Sequence, residues 1–141
     1  MSANDSSPGE APPPAARTIT VLLVDDQPII GEAVRRLFLD QPDITFYYCA
    51  DPAHALKRAN EIKPDVILQD LVMPGINGIE LVRLYRENSA TATTPIIVLS
   101  GSEDAETNAH ALAAGANDFM VKLPQKIELL GRIRSCSQKE V

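Results

Sequence analysis

The chain is short of positive charge. Thirteen Lys and Arg face nineteen Asp and Glu, a formal net charge of −6. A nucleic-acid binder needs a basic patch to neutralise phosphates, so this balance argues against that class. Cysteine is scarce too: Cys49 and Cys136 lie far apart and fit no metal-ligand or redox spacing. The expectation is two reduced thiols in a cytoplasmic protein. No apolar run approaches the roughly 18 residues of a membrane span. The amino-terminus lacks a basic stretch followed by an apolar one, so no signal peptide is expected. No internal repeat is visible. Residues 1–17 have no large aliphatic side chain after Met1 and hold four of the eleven prolines. Such a segment buries too little surface to offset its ordering entropy, and it reads as a disordered tail.

The chain as a whole, at 141 residues, 45% hydrophobic and 23% charged, suits one soluble globular domain. From Thr18 onward strand-like and helix-like patterns alternate. The first strand is expected over about 18–25. After Pro28, the stripe Ile30, Ala33, Val34, Leu37 and Phe38 has the spacing of an amphipathic helix, with the proline in its first turn. Ile44, Phe46 and Tyr48 alternate as in a half-buried edge strand. Asp51-Pro52 opens a second helix that must stop before Pro64. Val66-Ile67-Leu68 and Ile96-Ile97-Val98-Leu99 are all apolar, as strands covered on both faces are. Between them, Gly78, Leu81, Val82 and Tyr85 mark a third helix. Ser102 or Asp104 caps a fourth, which ends at Gly115; Phe119 to Val121 forms a fifth strand; Ile127, Leu130 and Ile133 mark a last helix. Strict alternation with short connections implies an α/β fold. It is a five-stranded parallel sheet in the flavodoxin-like order 2-1-3-4-5, with helices on both faces.

In such a sheet every strand ends at one edge, where open α/β folds place their ligands. Asp25-Asp26, Asp70, Ser100 and Lys122 all stand at or just past strand ends. Two unit charges about 4 Å apart repel by about 4 kcal/mol at an effective dielectric near 20. Something positive must offset that, and a hard divalent cation with oxygen ligands fits best.

Four segments then match a family. Val24-Asp25-Asp26, Asp70-Leu71-Val72-Met73-Pro74-Gly75-Ile76-Asn77-Gly78, Leu99-Ser100 and Gly115-Ala116-Asn117-Asp118-Phe119-Met120-Val121-Lys122 together resemble the CheY-like receiver domain of two-component response regulators. The resemblance covers about residues 18–136, leaving 137–141 as a tail or the start of a linker to an output domain. It implies that Asp70 accepts a phosphoryl group from a histidine kinase. It implies that Mg²⁺ is held by Asp26, by Asp25 through water, by Asp70 and by the backbone carbonyl of Val72. Lys122 then pairs with Asp70 and its phosphate, and Ser100 donates its hydroxyl to a phosphoryl oxygen. Phe119 rotates inward when Ser100 moves, changing the face formed by the fourth helix, fifth strand and fifth helix. That face would control an output domain or a homodimer. The chain is expected to catalyse only its own phosphorylation and dephosphorylation, with no nucleic acid or membrane as partner of this domain.

Two departures stand out. Receivers usually have Lys-Pro adjacent with a cis bond, whereas here Leu123 separates Lys122 from Pro124 and leaves the place of that bond open. Val72 is apolar where some receivers hold an attacking water, which suggests slow self-dephosphorylation. Within the family, the stretches around Asp70 and Lys122 look most like the Wsp-type regulator, whose receiver precedes a diguanylate cyclase; the chain then reads as an excised receiver or as a single-domain regulator, the first being favoured. Competing readings are an Asp-dependent phosphatase or phosphotransferase, a flavin binder and a phosphorylation-independent interaction module. The first needs a second Asp two residues after Asp70, where Val72 stands. The second needs a hydroxyl- and glycine-rich loop where Asp25-Asp26-Gln27-Pro28 stands. The third is opposed by the presence of Asp26, Asp70 and Lys122 together.

Overall fold

The computed structural model describes residues 18–101 and 105–137. Five strands form one parallel sheet: β1 (Ile19–Val24), β2 (Ile44–Cys49), β3 (Val66–Asp70), β4 (Ile96–Ser100) and β5 (Asp118–Val121). Their spatial order is β2-β1-β3-β4-β5, as the sequence pattern predicts. The helices between and after them are α1 (Pro28–Leu37), α2 (Ala55–Ile62), α3 (Gly78–Glu87), α4 (Ala105–Ala114) and α5 (Lys126–Ser137).

The pleat divides the apolar runs between two cores. Leu22, Val24, Ile67, Ile96 and Val98 face α2, α3 and α4, packing with Leu81, Val82, Tyr85 and Ala111. Val21, Leu23, Leu68, Ile97 and Leu99 face α1 and α5, packing with Val34, Phe38, Leu129 and Ile133. β3 and β4 are buried at every residue, whereas β2 at the edge buries only Ile44 and Cys49. A one-residue slip of a central strand would exchange its two faces, so both cores fix the register that brings the strand ends level.

Local chemistry sets the element ends. Pro28 occupies the first turn of α1. Asp51 accepts from the Ala53 N–H at 3.0 Å, but the turn it caps is 3₁₀ (Pro52–His54), and α2 proper begins only at Ala55. Lys63, with φ 53°, closes α2 before Pro64. α4 ends at Gly115, whose φ of 126° suits the left-handed closing position. The expected buried stripe of α5 needs correction. Ile127 is 86% exposed, and Leu129 joins Leu130 and Ile133 in the core instead. A short hairpin not foreseen from the pattern follows β3, pairing Val72–Met73 with Ile76–Asn77. Pro74-Gly75 makes its turn, and Gly75 at φ 83° occupies a conformation that other residues adopt only with strain. The expected caps Ser102 and Asp104, the tail 1–17 and residues 138–141 lie outside the described residues. Among the described residues no helix is long and apolar enough to cross a membrane.

Candidate functional site

The level strand ends build a cup at the carboxyl edge of the sheet. The chain leaving β1 stays in the ladder for one more residue, the Asp25 N–H donating to the Cys49 carbonyl at 3.2 Å. Asp25 is therefore fully buried, beside Asp26, which is half-buried. Asp70 is the last residue of β3 and is 2% exposed. One carboxylate oxygen from each of Asp25, Asp26 and Asp70 lies within 4.8 Å of the others. Lys122 follows β5, its N–H donating to the Ser100 carbonyl at 2.8 Å. Its ammonium stands 2.9 Å from Asp25 Oδ2 and 3.0 Å from Asp70 Oδ1. The peptide bond between Lys122 and Leu123 is cis, so the bond whose place the sequence left open directly follows the lysine.

Three carboxylates against one ammonium leave excess negative charge in a buried space. Burial pushes the Asp70 carboxyl above its ordinary pKa, against the Lys122 ammonium; the Asp25 charge adds to the rise. Burial alone would lower the Lys122 pKa, but Asp25 and Asp70 outweigh it and hold the ammonium above its usual value. Asp25 Oδ1 accepts from the Gln27 N–H at 2.9 Å, and Asp70 Oδ1 from the Val72 N–H at 3.4 Å. Asp26 Oδ1 and Asp70 Oδ2 are buried with no hydrogen-bond partner among the described residues. A buried polar atom without a partner costs roughly 1–3 kcal/mol. An all-oxygen donor set with unpartnered lone pairs and excess negative charge fits a hard cation such as Mg²⁺, which binds through few carboxylates and keeps its waters.

The remaining site residues fall in different places. Ser100 is 7% exposed at the end of β4, in register with Val121. Val72 begins the hairpin beyond Asp70 and is 82% exposed, and its apolar side chain adds no polar group to the cup. Phe119 is outside the cup. It is 36% exposed and lines a groove of about 580 Å³ with Asn108, Leu112 and Val121. The pattern reading missed Gln69, which is fully buried in β3 and hydrogen-bonded to both Tyr85 and the Asp70 carbonyl. A second polar residue directly before Asp70, at the end of the apolar run Val66-Ile67-Leu68, was the available signal.

Comparison with known proteins defines the class. A sequence profile of the response regulator receiver domain matches residues 21–134, and the chain belongs to that family. The nitrate/nitrite response regulator NarL of Escherichia coli K12 is 33% identical over 123 residues, covering 86% of this chain and 56% of NarL. The DNA-binding response regulator MtrA of Mycolicibacterium smegmatis is 32% identical, covering 82% of this chain and 49% of MtrA. The chain thus spans about half the length of these curated relatives. Among solved structures, the response regulator domain of Thermotoga maritima CheB is 34% identical with a TM-score of 0.75, covering 86% of this chain and 97% of that one. A response regulator from Chloroflexus aurantiacus aligns with a TM-score of 0.79 at 28% identity, covering 86% and 98%.

Proposed function

We propose that this receiver domain is a phosphorylation-driven switch, taking a phosphoryl group onto Asp70 from the phosphohistidine of a histidine kinase. The observation that carries the reading is the Lys122 ammonium placed between the buried Asp25 and Asp70 carboxylates, with Asp26 within coordinating distance. Phosphoryl transfer needs an in-line nucleophile and positive charge around the moving oxygens. An Asp70 oxygen attacks phosphorus, a P–O bond forms, the P–N bond to the donor imidazole breaks, and the imidazole leaves with the electron pair and gains a proton. Lys122 shifts from carboxylate to phosphoryl oxygen as the charge moves. Asp25, Asp26, Asp70 and the Val72 carbonyl are the residues to hold Mg²⁺, which when bound neutralises charge on the transferring group. The Ser100 hydroxyl donates to a phosphoryl oxygen, and Phe119 leaves its half-exposed position on the groove to follow it.

That movement would remodel the face of α4, β5 and α5, where the groove lies. The partner of this face is an output domain, a diguanylate cyclase on the resemblance of the segments around Asp70 and Lys122 to the Wsp-type regulator, or a second receiver. The exposed, apolar Val72 offers no group to hold an attacking water, which supports a long-lived phosphoryl state. A lifetime of only seconds would count against that part. Incubation with acetyl phosphate and Mg²⁺, followed by intact-mass measurement, tests the core of the proposal. One phosphoryl group per chain is expected, lost in Asp70→Asn and without Mg²⁺. Continuous hydrolysis of the donor, or modification that survives Asp70→Asn, overturns it. Light scattering with and without beryllofluoride then reads the dimer.

A further inference from the structure

Gln69 is an expensive residue in its position. It is fully buried in β3, and its side chain lies on the α3 side of the sheet with Tyr85, also fully buried. An amide buried without partners is destabilising, so its bonds explain how it is tolerated. The Tyr85 hydroxyl donates to Gln69 Oε1 at 2.7 Å, and Gln69 Nε2 donates to the Asp70 carbonyl at 2.9 Å. The same carbonyl meets the first residue of α3 from another side. A Cβ on Gly78 would come within 2.3 Å of it, and the Gly78 N–H donates to the Leu71 carbonyl at 3.0 Å. The peptide between Asp70 and Leu71 is therefore clamped between an oriented amide and a helix start. The Asp70 carboxylate and the Val72 carbonyl flank that clamp.

We infer that Gln69, oriented by the Tyr85 hydroxyl, is a positioning residue that holds the Asp70–Val72 segment where its oxygens bind Mg²⁺. Gln69 touches neither the metal nor the phosphoryl group; it acts through the Asp70 carbonyl. The inference rests on the Mg²⁺ site proposed above. It goes beyond that reading by adding a buried pair from the opposite face of the sheet.

The test uses Gln69→Leu, Tyr85→Phe and the double variant, with Mg²⁺ affinity measured by calorimetry and stability by urea unfolding. Gln69→Leu alone orphans the Tyr85 hydroxyl and lowers stability. The double variant removes the orphaned hydroxyl as well and recovers that share of the loss, while the Asp70 carbonyl stays without its amide donor. A purely structural pair would recover Mg²⁺ affinity as well. A positioning pair leaves it weakened roughly tenfold in the double variant, the scale on which residues behind metal ligands act. A weakening of less than about threefold in the folded double variant overturns the inference while the wild-type site stands. Failure of the wild-type protein to bind Mg²⁺ overturns the parent reading and this inference with it. Should Gln69→Leu not fold, the double variant alone decides.

Discussion

At the amino edge of the sheet one cation meets five acceptors; at the carboxyl edge one cation is set against three carboxylates. Arg86, in the last turn of α3, donates to the carbonyls of Gly115, Thr91, Ala92 and Thr94 and to the Asn117 side chain, at 2.7 to 3.2 Å. Asn117 Oδ1 in turn accepts from the Ile96 N–H, so the knot ties α3 to the starts of β4 and β5. Lys122 has the same charge, but Asp26 Oδ1 and Asp70 Oδ2 have no hydrogen-bond partner among the described residues. The planar guanidinium matches several fixed acceptors at once, whereas the ammonium is a compact, mobile point charge. The first end is closed and serves stability. The second keeps excess negative charge beside its one ammonium, which suits the cation and phosphoryl group proposed for it.

The comparison breaks most visibly at Arg86. Arg86→Ala removes the donor to five acceptors, and the stability of the free protein should fall by about 3 kcal/mol, a few partly rehydrated acceptors' worth. Urea unfolding reads the loss. Calorimetry on the folded variant should find Mg²⁺ affinity unchanged within about twofold, because the knot lies at the far end of the strands from Asp70. A large loss of affinity would show that the two ends are not separable.

The same contrast explains what the sequence made legible. Apolar runs ending in Asp25, Asp70, Ser100 and Lys122 announce a parallel sheet with a polar edge, because period and position carry the signal. The edge place of β2 was readable because that segment alternates, whereas β5, at the other edge, exposes Phe119 and Val121 although its apolar run reads as covered on both faces. The cup's membership followed from topology, since level strand ends leave few other places for those side chains. Arg86 was not readable: its acceptors are backbone carbonyls, which any residue supplies. Gln69 was hidden for a related reason, its partners being a carbonyl and a tyrosine sixteen positions on. The 3₁₀ opening before α2 escaped because Asp51-Pro52 signals a cap without fixing whether the first turn is tight.

At the other edge the effect is smaller and of opposite sign. Asp26→Asn removes one charge from the crowded cup. The metal-free protein should gain about 1 kcal/mol as like-charge repulsion is relieved. Adding Mg²⁺ at about ten times the wild-type dissociation constant should stabilise the wild type by about 1.4 kcal/mol by mass action. The same concentration should leave Asp26→Asn almost unmoved. Urea unfolding with and without Mg²⁺ gives all four values. If Asp26→Asn is less stable than wild type without metal, the unpartnered oxygen is not a cost the fold bears for its ligand.

The smallest effect belongs to a residue that the helical pattern counted as core. At about 100° per residue, Leu129, Leu130 and Ile133 span an arc of about 100°, and Ile127 falls outside it. The spacing 127, 130, 133 looks like a stripe but drifts by about 60° at each step, so its first member leaves the buried face while its last stays in it. Ile127 is 86% exposed where Leu129 is fully buried. Ile127→Ala should therefore change stability by no more than about 0.5 kcal/mol, the range of ordinary surface substitutions. A loss near 2 kcal/mol or more, the scale of a truncated core aliphatic, would mean that α5 is rotated on the sheet relative to the structure described. Such a rotation would also displace the Arg132 contact with Asp118, which ties α5 to the first residue of β5.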